Sequence, residues 1–235
     1  MPVTTDTIAM LQQASYGTDP AAQAKLYSLF NDVIVAAIHC DTSRIAVVNL
    51  GDTFSSFAGD WHQALAHQTQ LPDGVAQKVN ADAHQVVFEK VFLDLVTKLD
   101  TDDGTGRTYL DNSLVSWTQE FGEGTHTASG MPVITAGSAG GFLKTGNYCD
   151  YRDKAILVDA PCDSKPESCI EINPAVRVYG GLLWQWLGTA LQAMGLPRAE
   201  CEQDGVNGYP KRPLDHVRRK ASAASLSRRA SQRGR

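Results

Sequence analysis

The stretch Arg44-Ile45-Ala46-Val47-Val48-Asn49-Leu50 decides the predicted fold, because a short run of β-branched residues favours a buried strand. Before it, apolar residues recur at three- and four-residue spacing from Ala21 and predict a helix that ends at Asp41. After it, a second helix is predicted from about Asn80 to Leu99. A strand set between two helices favours a parallel sheet with both faces covered.

The predicted helices each have an apolar stripe that we expect to be buried. The members of the first stripe are Leu26, Leu29, Phe30, Val33, Ile34, Ala37 and Ile38, and those of the second are Phe88, Val91, Phe92, Leu95, Val96 and Leu99. A last helix carries Val176, Leu183, Trp184, Leu187, Leu191 and Met194, and Gly195 is expected to end it. Two more strands are predicted at 112–117 and 132–136. The prediction is therefore an α/β fold, a mostly parallel sheet with flanking helices.

Charge is distributed unevenly along the chain. From Pro210 onward nine Lys and Arg face one acid, Asp215, whereas the preceding residues carry 12 basic and 25 acidic side chains. We predict one α/β domain over residues 21–209, an extended lead-in at 1–20, and a basic, disordered tail at 210–235. We expect no nucleic acid to bind the acidic body. An apolar run of about 18 residues and a signal peptide are both missing, so no membrane span or cleavable signal is expected.

Candidate ligand residues lie in the loops after the predicted strands, where α/β proteins place their sites. The first loop holds Asp52, Asp60, His62 and His67, the second holds Glu120, Glu123 and His126, and the third is the turn Gly137–Gly141. Imidazole and carboxylate groups bind divalent metals, so a metal site is one interpretation; solvated loop residues are the other. The glycine turn could cradle a phosphate but is more typical of a tight turn.

Five cysteines are present without any CxxC pair, which argues against a zinc ribbon or a thioredoxin-like motif. Cys162 and Cys169 flank a polar loop that contains a proline. In an oxidising compartment these two could form a disulfide, whereas in a reducing one they would stay free thiols. The sequence leaves the choice open.

Four blocks in fixed order resemble the C-terminal half of a secreted bacterial family of unknown function that is named for an HXXSHH motif. The blocks are Leu110–Trp117, Glu120–His126, Pro132–Gly137 and Gly141–Gly146. The helix before Cys40 and the stretch Trp186–Gly195 agree with the same family, so the resemblance covers roughly residues 25–200.

The resemblance implies membership of the alkaline phosphatase and sulfatase superfamily of metal-dependent ester hydrolases. It implies an alkaline-phosphatase-like fold, incomplete at the N-terminus, in an exported protein of the periplasm or cell surface. The HXXSHH motif matches Gln63–Gln68, in which only His67 is retained. The implied ligands of a zinc, manganese or calcium ion are then His67, Glu120 and His126, with water as the nucleophile.

Two functions from different classes therefore remain as expectations. The first is a phosphate or sulfate ester hydrolase domain with a weakened metal site, inactive or truncated, whose nucleophile would precede residue 1. The second is a non-catalytic, surface- or envelope-associated binding module that kept the scaffold. Separately, strands missing before residue 1 would leave a sheet edge or face exposed, through which the chain could self-associate. A further interpretation treats Met1 as internal to a longer reading frame and the basic tail as read-through. No residue type identifies a substrate.

Overall fold

The computed structural model describes residues 15–69, 74–119, 131–149, 157–158, 178–179, 183–197 and 200. These residues fall into two compact units, one from the described parts of Met1–Leu110 and Val115–Ala136, the other from those of Asp111–Leu114 and Gly137–Arg235. The basic tail at 210–235 and both cysteines 162 and 169 lie outside the described residues.

Helix α1 runs from Pro20 to His39 and confirms the first predicted helix. Asp19 caps its start, because the Asp19 carboxylate accepts hydrogen bonds from the backbone N–H groups of Ala21 and Ala22, and Pro20 supplies a fixed φ at the first position. A 3-10 turn, Tyr16–Thr18, precedes this cap. Part of the predicted lead-in is therefore ordered against the helix.

The apolar stripe predicted for α1 is only partly buried, and the fully buried positions of the helix are other residues. Its buried side chains are Gln23, Tyr27 and Asn31, whereas Phe30 and Val33 are 48% and 56% exposed. The prediction fails for Phe30 and Val33, whereas the other five members of the stripe are half-buried. Gln23 and Asn31 are buried where their hydrogen bonds are satisfied, and periodicity of apolar residues cannot detect such partners.

The second predicted helix is confirmed and begins earlier, at Val75. Helix α3 spans Val75–Val87, a π-helical segment spans Phe88–Phe92, and α4 spans Leu93–Leu99. The predicted stripe is buried or half-buried along its length. At the π segment Asn31 reaches across from α1 and donates from Nδ2 to the Val91 carbonyl at 2.9 Å. A π turn loosens the helical hydrogen-bond ladder, and here a side chain from another helix bonds one of its carbonyls.

The same side of α1 holds a cluster of charged and polar groups around Lys98. Its ammonium lies 2.7 Å from Asp32 Oδ1, 2.8 Å from Asp94 Oδ2 and 2.9 Å from Ser28 Oγ. Burial acts to lower the pKa of Lys98, but the hydrogen bonds that its ammonium donates to the two carboxylates, and their negative charges, outweigh burial, so the pKa is raised. The cluster therefore ties α4 to α1 through a lysine that stays charged.

The parallel sheet is the main error of the sequence prediction. The strands of the described residues form two antiparallel pairs, β1 (Val115–Thr118) with β2 (Val133–Ala136), and β3 (Leu157–Val158) with β4 (Val178–Tyr179). In the first pair Val115 lies opposite Ala136 and Thr118 opposite Val133. An alkaline-phosphatase-like, mostly parallel sheet is contradicted. The predicted strand at 132–136 is confirmed as β2.

The reason for the error is the stretch at 44–50, which forms no strand among the described residues. Without it, the described residues between α1 and α3 contain no strand, and the alternation of strand and helix that favours parallel pairing is lost. The first unit instead packs Tyr27, Phe54, Val87 and Val91 into a core against which Leu50, Val86 and Trp117 lie half-buried.

A one-turn helix, α5 (Tyr109–Asn112), precedes β1. The second unit contains helix α6, Leu183–Ala193, where the last helix was predicted. Trp186 and Thr189 are buried, but Leu187, Leu191 and Met194 of the predicted stripe are between 38% and 53% exposed. The predicted stripe is therefore not buried at these three positions. Gly195 follows the helix with φ of +96°, which confirms the predicted stop. None of the described helices is long and apolar enough to cross a bilayer.

Candidate metal site

The loop that follows residue 50 is held in place by helix α1. The Tyr27 hydroxyl donates to the Asn49 carbonyl and accepts from the Gly51 N–H, both at 3.3 Å. One turn earlier, Gln23 donates to the Tyr16 carbonyl at 2.9 Å and accepts from the Phe54 N–H at 2.7 Å. These bonds fix the start of the loop that carries the candidate ligands.

Asp52, the first acid of this loop, has a partner in the lead-in segment. Its Oδ2 accepts a 2.8 Å hydrogen bond from the Tyr16 hydroxyl. Burial, together with this hydrogen bond and the negative charge of Asp52, raises the pKa of Tyr16. The pKa of Tyr27 is raised by burial and by the same carboxylate. The hydrogen bond to Tyr16 therefore ties Asp52 to the lead-in segment rather than to His62 or His67.

The two loop histidines lie on a short helical segment. Helix α2, Trp61–Ala64, is capped by the Asp60 carboxylate, which accepts from the Gln63 N–H at 3.1 Å. A 3-10 turn, Ala66–Gln68, follows directly, and Leu65 between them is buried with 4% of its surface exposed. Because Leu65 points inward, the residues on either side of it are placed near the surface.

This arrangement brings His62 and His67 together. Their Nε2 atoms are 2.8 Å apart, and their rings are 4.6 Å apart between centroids with a 52° angle between planes. His62 is exposed and His67 half-buried. Two neutral imidazoles at this distance can share one N–H···N hydrogen bond, or they can turn both lone pairs on one cation. Two nitrogens bound to one zinc ion lie about 3.3 Å apart, so only a small ring movement separates the two states.

The predicted ligand set is met only in part by the described residues. His67 is in the site, while Glu120 and His126 lie outside the described residues, and their role stays a prediction. His62 lies one residue before the first motif position, Gln63, and by the resemblance could replace the motif histidine only if the loop shifts. The described parts of the chain contain no group of three or more His, Cys, Asp or Glu that could hold a metal.

The remaining described histidines have other contacts. His39 stacks on Tyr109 with 4.0 Å between ring centroids. His84 places its Nδ1 2.7 Å from the Asn80 carbonyl and faces Trp117 at 6.3 Å. His39 is exposed at the end of α1 and serves as a natural control for the site histidines.

The glycine turn after β2 uses its backbone donors internally. The N–H groups of Ala139, Gly140 and Gly141 donate to the carbonyls of Ser113, Asp111 and Ser138 respectively, at 2.8–3.0 Å. The Ser138 hydroxyl donates to the Asp111 carbonyl at 2.8 Å. With these donors bonded to the chain itself, the turn is a tight connection rather than a phosphate cradle, as the sequence favoured.

No family model, curated protein or solved structure matches this chain.

Proposed function

We propose that this chain is a divalent-metal-binding domain in which His62 and His67 supply two ligands, and that it does not hydrolyse esters at a useful rate. The 2.8 Å separation of the two Nε2 atoms carries the proposal. At this distance the two rings can share an N–H···N hydrogen bond, and an opening to about 3.3 Å would let both nitrogens bind one zinc ion. The resemblance to the HXXSHH family also remains a proposal, now without the parallel sheet that it implied.

The ligand type narrows the choice among zinc, manganese and calcium. Imidazole nitrogen suits zinc and copper, whereas calcium and manganese prefer carboxylate, carbonyl and water oxygen. The pair therefore favours zinc over calcium. Two protein ligands leave coordination positions for water or for further side chains, such as the predicted Glu120 and His126.

Replacing either His62 or His67 with alanine is expected to weaken zinc binding by at least about tenfold, since loss of a direct ligand should cost no less than loss of an outer partner. Isothermal titration of Zn²⁺ into the wild-type chain, His62→Ala, His67→Ala and the control His39→Ala measures the effect. The control should bind as the wild type does, and calcium should give no comparable heat. Equal zinc affinity in all four proteins would contradict the site.

Removing both site histidines is expected to leave hydrolysis of chromogenic phosphate and sulfate esters unchanged, at background. Ester hydrolysis by metals relies on an activated nucleophile and commonly on two ions that hold the attacking and leaving oxygens. The described residues offer two imidazoles for one ion. Rates are measured with added zinc, manganese and calcium. Turnover in the wild type that disappears in the double variant would establish an enzyme and overturn this part of the proposal.

The second candidate function is the non-catalytic binding module that associates with itself. It is favoured by apolar side chains of the first unit that are open to solvent, with Val47 91% exposed and Ile45 64% exposed. Location in the cell envelope has support only from the family resemblance. Metal binding and association are independent properties, so zinc titration and sedimentation velocity test them separately.

A further inference from the structure

The segment Arg44–Leu50 combines the composition of a buried strand with the exposure of a surface loop. Ile45, Val47 and Val48 are 64%, 91% and 39% exposed. Apolar side chains scattered singly on a surface are ordinary, but three within four residues of a β-branched run form a patch with strand propensity. Such a segment is a template for pairing with another strand.

The hydrogen bonds of this segment leave one edge open. Among the described residues, its backbone accepts two bonds, from Ser43 Oγ to the Ile45 carbonyl at 2.8 Å and from Tyr27 Oη to the Asn49 carbonyl at 3.3 Å. In a β-strand the backbone groups of alternate residues point to opposite edges. When residues 44–50 extend as a strand, both bonded carbonyls belong to the odd-numbered edge. The other edge has no hydrogen bond to the described residues, and its members are Arg44, Ala46, Val48 and Leu50.

We propose that this segment pairs with the same segment of a second copy of the chain, as two antiparallel strands with Val47 on the two-fold axis. In this register Ala46 lies opposite the Val48 of the other copy and Arg44 opposite its Leu50, so each pair exchanges two backbone bonds along the open edge. The two Val47 side chains then form the central non-hydrogen-bonded pair, where side chains approach most closely.

The charged side chains at the ends of the segment favour antiparallel over parallel pairing of the two copies. Antiparallel pairing places Arg44 diagonally across from Asp52 of the other copy, within reach of a long side chain. Parallel pairing in register would set Arg44 against Arg44. The present partner of Arg44 is Asp41 at 3.0 Å, and the two side chains are 80% and 70% exposed, so this ion pair contributes little and can be exchanged.

The proposed dimer contact is small. One strand pair buries much less than the roughly 1,200–2,000 Å² of a stable protein interface, so the dimer is weak and its population depends on concentration. The inference goes beyond the proposed metal site and does not depend on it. It deepens the binding-module alternative by naming the segment and the partner.

Sedimentation velocity over a concentration series tests the pairing. The wild type should show a reversible monomer–dimer equilibrium, and Val47→Lys should raise its dissociation constant about tenfold or more, because like charges meet on the axis. Val47 is almost fully exposed, so folding should not be affected. Val33→Lys, at another exposed valine of the same unit, is the matched control and should dimerise as the wild type does.

Mixing Val47→Lys with Val47→Glu gives the decisive result. Each variant alone should be mostly monomeric, whereas the mixture should form heterodimers with a dissociation constant at or below that of the wild type. In the proposed register residue 47 of one copy faces residue 47 of the other, so the introduced lysine and glutamate attract each other. A wild type that is monomeric at every concentration overturns the proposal. So does a mixture that stays monomeric, or a Val33→Lys variant weakened as much as Val47→Lys.

Discussion

Replacing Phe54 with alanine is expected to lower the free energy of unfolding by about 3–5 kcal/mol, the usual cost of deleting a buried phenyl ring. Phe54 is 2% exposed and packs against Tyr27 with 5.2 Å between ring centroids. Glycine at the same position should cost less than alanine, by about 1 kcal/mol, because Phe54 has a φ of +53° in the left-handed region. Chemical denaturation of the two variants measures the difference.

Phe92 is the control position, where we expect glycine to be more destabilising than alanine. It is also buried, at 7% exposure, but it has an ordinary helical φ of −67°. There glycine should be worse than alanine by about 1 kcal/mol, as in other helices. If Phe54→Gly were as destabilising as Phe54→Ala, or more so, the left-handed conformation at residue 54 would be refuted.

Replacing Asn31 with leucine should cost about 2–3 kcal/mol of stability although the side chains have the same branched shape, because the buried Val91 carbonyl loses a donor and the half-buried Asp94 carboxylate keeps Lys98 but loses Asn31. Asn31 is 1% exposed, and its Nδ2 lies 2.9 Å from both the Val91 carbonyl and Asp94 Oδ2. The effect is measured as the shift of the urea unfolding midpoint at constant slope.

Gln85→Leu is the matched control for Asn31→Leu. Gln85 also carries an amide on a helix, but it is exposed and bonds only to the exposed Glu89 at 2.8 Å. Its loss should change stability by less than about 0.5 kcal/mol. An Asn31→Leu variant as stable as Gln85→Leu would show that the π segment and Asp94 do not depend on Asn31.

The candidate site could be predicted from the sequence only to the level of its loop. Histidines and acids after residue 50 indicated a metal site, and His67 was among the expected ligands. Its partner His62 is five residues away, a spacing that no regular helix places on one face. A short helix and a 3-10 turn, separated by the buried Leu65, bring the two Nε2 atoms together. That change of helical geometry has no signal in residue periodicity.

Local signals by themselves determined where the helices lie. Asp19 and Pro20 begin α1, and Gly195 ends α6, because capping and left-handed conformations depend on the residue and its immediate neighbours. Which faces are buried was decided by tertiary structure, since Gln23 and Asn31 are buried only where distant backbone groups bond to them. The same holds for residues 44–50. β-Branched side chains favour a strand, but a strand exists only where a second strand supplies hydrogen bonds. The described part of this chain contains no strand paired with residues 44–50.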